Sequence, residues 1–117
     1  MTDVFSLSGR TIVVASPDAR TRTRCVAQLA QRGDTVVSAA DFKTPAIGDA
    51  LRRTATIAIA ETLLPADPTQ WREIIADHGW HGRVLILGST GSGIDTAALD
   101  LAYLPAPFEI GRLIALL

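Results

Sequence analysis

The sequence predicts an α/β protein in which helices cover both faces of a parallel β-sheet. Short apolar runs with little alternation recur along the chain, as is typical of strands buried on both faces of such a sheet. Segments with helical spacing of apolar residues separate these runs, which indicates successive βα units with right-handed crossovers. At 117 residues, 48% of them hydrophobic, the chain is long enough for one core.

Five strands are predicted, each rich in β-branched or other apolar residues. They span Thr11–Ala15, Thr35–Ser38, Thr56–Ala60, Arg83–Leu87 and Leu101–Leu104. The third strand runs into a lone acid, Glu61. Because open α/β sheets place their chemistry at the carboxyl ends of the strands, this carboxylate is predicted to face a crevice.

Helix start and stop signals lie between the strands. Ser16 is predicted to cap the first helix, ahead of a proline and an acid, and Gly33 to end it. A second helix is predicted from Thr44, and a third has Pro68 at its first helical position. A short, weak fourth helix is predicted at Thr96–Leu99, and a last one runs to the chain end with Ile110, Leu113, Ile114 and Leu117 inward.

Composition limits the function classes. Eleven basic and twelve acidic residues give a net charge of −1, so no global field favours nucleic acid or an anionic membrane. The single cysteine, Cys25, excludes an internal disulfide and is predicted to lie in the core. No apolar run approaches the roughly 20 residues that span a bilayer. We therefore expect a cytoplasmic protein, with residues 1–9 a leader or linker tail and 10–117 one domain.

Two segments carry a resemblance to a known family. Glu61 is followed four residues later by Pro65, and the fifth strand leads into Tyr103–Phe108, an aromatic, apolar, proline-containing run ending in an aromatic. With five βα units, this resembles the receiver domain of two-component response regulators and hybrid histidine kinases over residues 10–117. The resemblance implies a three-layer doubly wound sandwich of flavodoxin or receiver type, with strand order 2-1-3-4-5.

The same resemblance implies that the phosphorylation chemistry is degenerate. Ala15 and Ser16 stand where receivers place two metal-binding acids, and Mg²⁺ is usually held by carboxylates. Glu61 replaces the acceptor aspartate, and its extra methylene moves the carboxylate by roughly an ångström from the in-line position. We expect no metal and no cofactor. Asp18, beside Pro17, is the one acid that would have to compensate, and the role of an acid in the first turn of a helix explains its position at least as well.

The switch positions of receivers are also altered. The hydroxyl residue after strand four falls on Gly88, with Ser89 one position late, and the phosphoryl-pairing lysine is Ala106. Tyr103 resembles the aromatic that couples the crevice to the outer face, and without a phosphoryl trigger it is expected to hold one rotamer. An interaction face is predicted from the apolar residues Leu99, Leu101, Tyr103, Pro105 and Pro107.

Three functional hypotheses follow. The first is a non-enzymatic pseudo-receiver that binds signalling proteins such as a histidine kinase or another receiver, with a homodimer as a further candidate. The second is a ligand-binding module whose crevice holds a nucleotide second messenger or another anion, which Glu109 disfavours by its charge. The third is a residual phospho-acceptor.

Two other features are interpreted as structural. The segment Gly88–Gly93 lacks the spacing of a P-loop or dinucleotide fingerprint and follows the wrong strand, so a plain loop is expected. His78 and His81 have no third ligand nearby in sequence, and we expect a turn there rather than a zinc site.

Overall fold

A computed structural model describes residues 11–42, 47–48, 52–53, 55–89, 101–105 and 109–116. The leader, the start of the second helix, the predicted helix at 96–99 and most of the glycine-rich loop lie outside these residues. Within the described part of the chain, no helix is both long and apolar enough to cross a membrane.

Five parallel strands form one sheet in the order β2-β1-β3-β4-β5, as the sequence predicted. The strands are β1 Thr11–Ala15, β2 Thr35–Ala39, β3 Thr56–Ala60, β4 Val84–Leu87 and β5 Ala102–Leu104. Ile57, Ala58 and Ile59 of β3 are fully buried. Burial of both faces explains why these strands consist of apolar residues without alternation.

Three α-helices lie within the described residues: α1 Ala19–Gln31, α2 Trp71–Asp77 and α3 Ile110–Leu116. On one face of the sheet, Cys25 and Leu29 of α1 share a buried cluster with Leu113 of α3. On the other face, Trp71 and Ile75 of α2 belong to a second cluster. The sheet is therefore the middle layer of three. Cys25 lies in the core as predicted, and its burial raises the pKa of the thiol to about 11.

The predicted cap of the first helix was wrong in detail. Asp18, not Ser16, is the N-cap of α1, and its carboxylate accepts the Arg20 N–H at 3.2 Å. Ser16 cannot be the cap because it continues β1, donating its backbone N–H to the Ala39 carbonyl at 3.0 Å. Gly33 ends the helix as predicted, with a φ of 91° that glycine adopts without strain.

The third predicted helix is divided into two parts. Pro68–Gln70 forms a 3-10 turn capped by Asp67, and α2 begins only at Trp71. The Trp71 indole N–H donates to the Pro65 carbonyl at 2.7 Å, which fastens the loop after β3 to the start of α2. This loop therefore leaves the end of β3 in a fixed direction, which positions Glu61.

Arg52, which lies before β3 in the chain, links the segment around residue 47 to the end of α2. The Arg52 guanidinium donates to the carbonyls of Ile47 at 2.9 Å and His78 at 2.5 Å, and lies 5.4 Å from the ring centroid of Trp80. Trp80 is buried and donates its indole N–H to the Phe42 carbonyl at 3.3 Å. The segment around His78 thus contacts the core through Trp80. The burial of Trp80 was not predicted from the sequence.

We expect Arg52→Ala to lower the free energy of unfolding by about 2 kcal/mol, because charged hydrogen bonds to two carbonyls are lost. A urea titration followed by circular dichroism measures this loss. Arg53→Ala is the matched control, because Arg53 is adjacent and exposed, and it should change stability by less than about 0.5 kcal/mol. Equal losses in the two variants would show that the Arg52 contacts do not stabilise the fold.

Candidate functional site

The carboxyl ends of the strands bring the predicted site residues to one edge of the sheet. Glu61 follows β3, and Gly88 and Ser89 follow β4. Tyr103 lies in β5, where it is in register with Ile86 of β4. We call the space between these residues and the end of β1 the crevice.

The Glu61 carboxylate is partly buried and hydrogen-bonded from two sides. Its Oε1 accepts the Tyr103 hydroxyl at 2.5 Å and the Ser89 backbone N–H at 3.3 Å. The bond from the phenol is short because the charge of the carboxylate strengthens it. The phenol therefore occupies the crevice beside the acceptor position.

Gly88 lies against the same phenol. A Cβ atom placed on Gly88 would lie 2.5 Å from the Tyr103 hydroxyl oxygen and 2.8 Å from its Cζ. The Gly88 N–H donates to the Leu104 carbonyl at 2.8 Å and extends the pairing of β4 with β5. The tyrosine ring thus fills the space that a side chain at position 88 would use.

The side of the crevice formed by β1 offers no carboxylate at the two positions where the resemblance expects acids. Ala15 is fully buried and Ser16 is 2% exposed. The Ser16 Oγ accepts the Asp18 N–H at 3.2 Å, and the Ser16 carbonyl accepts the Arg22 guanidinium at 2.5 Å. Ser16 is therefore engaged in building the turn between β1 and α1.

Asp18 uses its carboxylate to start α1. One oxygen accepts the Arg20 N–H, and the other accepts the Thr21 hydroxyl at 2.7 Å. The Thr21 hydroxyl, and then the Arg20 N–H, lower the pKa of Asp18 below its ordinary value. Within the part of the chain that the structure describes, no three His, Cys, Asp or Glu side chains group in a way that could hold a metal ion.

The predicted interaction face is described only in part. Leu101 and Tyr103 are half-buried and pack against the cluster on the α2 side, and Pro105 is exposed. Leu99, Ala106 and Pro107 lie outside the described residues. The Tyr103 hydroxyl points into the crevice and contacts Glu61. This contact was not predicted from the sequence.

The fold of this chain has counterparts among solved structures. A chemotaxis protein CheY4 from Vibrio cholerae matches 92% of this chain over 94% of its own, at 16% identity and a TM-score of 0.63. A receiver domain of Francisella response regulator 1452 matches with 91% coverage of both chains, 22% identity and a TM-score of 0.62. The chain has the receiver-domain fold.

A CheY-like response regulator receiver domain protein from Methanospirillum hungatei gives the same result, at 16% identity and a TM-score of 0.64, covering 92% of this chain and 90% of its own. No protein-family model and no curated protein matches the sequence. The crevice at the carboxyl ends of β1, β3, β4 and β5 is the candidate site that the position of Glu61 predicts. The fold prediction is confirmed.

The capping role of Asp18 gives a pH-dependent prediction. A carboxyl whose folded pKa is lowered adds stability above its unfolded pKa and loses it as pH falls through the folded value. Asp18→Ala should therefore be less stable than the wild type at neutral pH, and the difference should shrink as the pH falls below 3.8, the ordinary aspartate value. Urea titrations over a pH series measure this.

Asp18→Asn is the control, because asparagine also caps helices but does not titrate. It should remove the contribution of Asp18 to the pH dependence while retaining most of the stability. If millimolar Mg²⁺ stabilises the wild type but not Asp18→Asn, Asp18 is a metal ligand and the capping interpretation is wrong.

Proposed function

We propose that this chain is a non-catalytic pseudo-receiver, which acts in two-component signal transduction by binding other signalling proteins and is not phosphorylated. The observation that carries the proposal is the hydrogen bond from Tyr103 to Glu61. An acceptor carboxylate must present a free oxygen in line with the donor phosphorus. Oε1 of Glu61 instead accepts hydrogen bonds from the Tyr103 phenol and the Ser89 backbone N–H, and the phenol lies beside the carboxylate that a phosphoryl group would have to approach.

The surroundings of Glu61 also lack the means to neutralise a phosphoryl group. Phosphoryl transfer is catalysed mainly by positioning and by cations around the transferring group. Ala15 and Ser16 supply no carboxylate for Mg²⁺, and Asp18 is engaged at the helix cap. Ala106 replaces the family's lysine in the sequence. These four features together support loss of the reaction with retention of the fold.

The receiver fold, which this chain shares with signalling proteins, supports the proposed binding role. The comparison structures are a chemotaxis protein and receiver domains of response regulators, proteins of signalling systems. We propose a histidine kinase or another receiver as the partner of this chain, with a second copy as a further candidate. The face around β5 is the proposed contact, with half-buried Leu101 and exposed Pro105 among its described residues.

We expect no phosphoryl uptake from acetyl phosphate with Mg²⁺. Intact-mass spectrometry measures this directly, with a receiver that has an acceptor aspartate as the positive control. A mass gain of one phosphoryl group that disappears in Glu61→Gln would contradict the proposal and locate the acceptor. A gain that survives in Glu61→Gln but disappears in Asp18→Asn would assign it to Asp18.

A charge placed on the β5 face should weaken binding. Pro105→Glu alters an exposed residue without touching the crevice contacts, and should cost at least ~1 kcal/mol of association free energy if the face is an interface. Sedimentation velocity measures self-association, and titration against a purified histidine kinase measures partner binding. Gln28→Glu, on the exposed side of α1, is the control. If Pro105→Glu and Gln28→Glu both bind like the wild type, the β5 face is not the interface.

A further inference from the structure

We infer that Gly88 determines where Tyr103 lies: because residue 88 has no side chain, the phenol enters the crevice and becomes the crevice's own occupant, held by Glu61. This inference goes beyond the proposed function, because it concerns which residue sets the tyrosine's position and not whether a phosphoryl group is taken up. It rests on the contacts of three side-chain positions at the ends of β3, β4 and β5.

The Tyr103 phenol takes up the space beside Gly88 that a side chain would need. Real Cβ atoms essentially never lie closer than 3.0 Å to a neighbouring heavy atom, and a Cβ on Gly88 would lie 2.5 Å and 2.8 Å from two phenol atoms of Tyr103. A third neighbour, the Leu104 carbonyl oxygen, would be at 3.0 Å, which is tight but not prohibitive. The severe contacts are thus both with the tyrosine ring.

The backbone conformation at position 88 does not require glycine. Among the described residues, the glycines with positive φ are Gly33 and Gly79, so Gly88 does not adopt the left-handed conformation that disfavours other residues. An alanine at position 88 would fit the local backbone. What it would not fit is the phenol.

The Tyr103 ring, and not the strand, is the part that would move if position 88 carried a side chain. Gly88 is anchored by its N–H to the Leu104 carbonyl at 2.8 Å, directly after the paired residues Leu87 and Leu104. The Tyr103 ring, in contrast, is the end of a side chain that rotates about χ1. A Cβ at position 88 should therefore displace the ring and leave the strand in place.

A hydrogen bond to Glu61 holds the Tyr103 ring in the crevice when position 88 has no side chain. The Tyr103 hydroxyl lies 2.5 Å from Glu61 Oε1, and the carboxylate is partly buried. A hydrogen bond to a charged acceptor is stronger than one between neutral groups. Glutamate at position 61 has a longer side chain than the aspartate of the receiver pattern, and it binds the phenol. The absence of a side chain at position 88 leaves the space that the phenol enters.

The chain provides a clean probe, because Tyr103 is its single tyrosine. Incorporated 3-fluorotyrosine gives one ¹⁹F resonance, whose chemical shift reports the carboxylate contact. Its relaxation by a soluble gadolinium chelate reports exposure to solvent. We expect Gly88→Ala to shift the resonance and to raise the gadolinium effect several-fold above that of the wild type.

Gly111→Ala is the matched control, because a Cβ at Gly111 would meet no atom within 4 Å. Its resonance and its gadolinium effect should equal those of the wild type. Glu61→Ala, which removes the acceptor, should also shift the resonance. A folded Gly88→Ala protein with the wild-type shift and exposure would overturn the inference.

If Gly88→Ala does not fold, the double variant Gly88→Ala/Tyr103→Ala decides the matter. Without the phenol, the alanine at position 88 has only the Leu104 carbonyl to accommodate, and the double variant should recover the stability of Tyr103→Ala. Equal loss of folding with and without the phenol would assign the effect to the backbone and overturn the inference. A wild-type resonance in Glu61→Ala would separately show that the phenol is not bound to Glu61.

Discussion

Burial of the central strands on both faces is the constraint on which the rest of this structure depends. Residues of β1 and β3 belong to the buried clusters on both faces of the sheet, so their buried positions admit only apolar side chains. Polar groups can then appear only where the strands end. Glu61 is the first charged residue after β3, and the parallel arrangement brings it to the same edge as Gly88 and Ser89.

A lone carboxylate at such an edge needs hydrogen-bond donors. Among the described residues, the donors to Glu61 are neutral groups and not cationic side chains. Tyr103 donates from β5 and Ser89 from the end of β4. Both are neutral donors, so they satisfy the carboxylate oxygen but leave its negative charge uncompensated. The crevice therefore keeps a negative carboxylate, whereas a phosphoryl-transfer site needs positive charge around the incoming group.

The sequence predicted the fold well because each strand has a simple physical signature. The buried runs of β1, β3 and β4 and the glycine that ends α1 are local signals. The Asp18 cap and the burial of Trp80 were missed because they depend on where β1 stops and on a contact with Phe42 far along the chain. For the site, the sequence identified Glu61, Gly88 and Tyr103 one by one, but not their contact.

That contact had a signal in the sequence, although each of its parts was interpreted separately. Compared with the receiver pattern, the side chain at position 61 is longer by one methylene and the side chain at position 88 is missing. Beside the aromatic at position 103, these two changes in volume are complementary, and close packing requires such changes to be matched. The match also bears on the ligand-binding alternative. An anion entering the crevice would have to displace the phenol and approach the Glu61 charge, with exposed Glu109 as a further negative group on the same chain. Electrostatics and occupancy thus both disfavour an anion in the crevice, which supports the proposed role of the chain in binding other proteins.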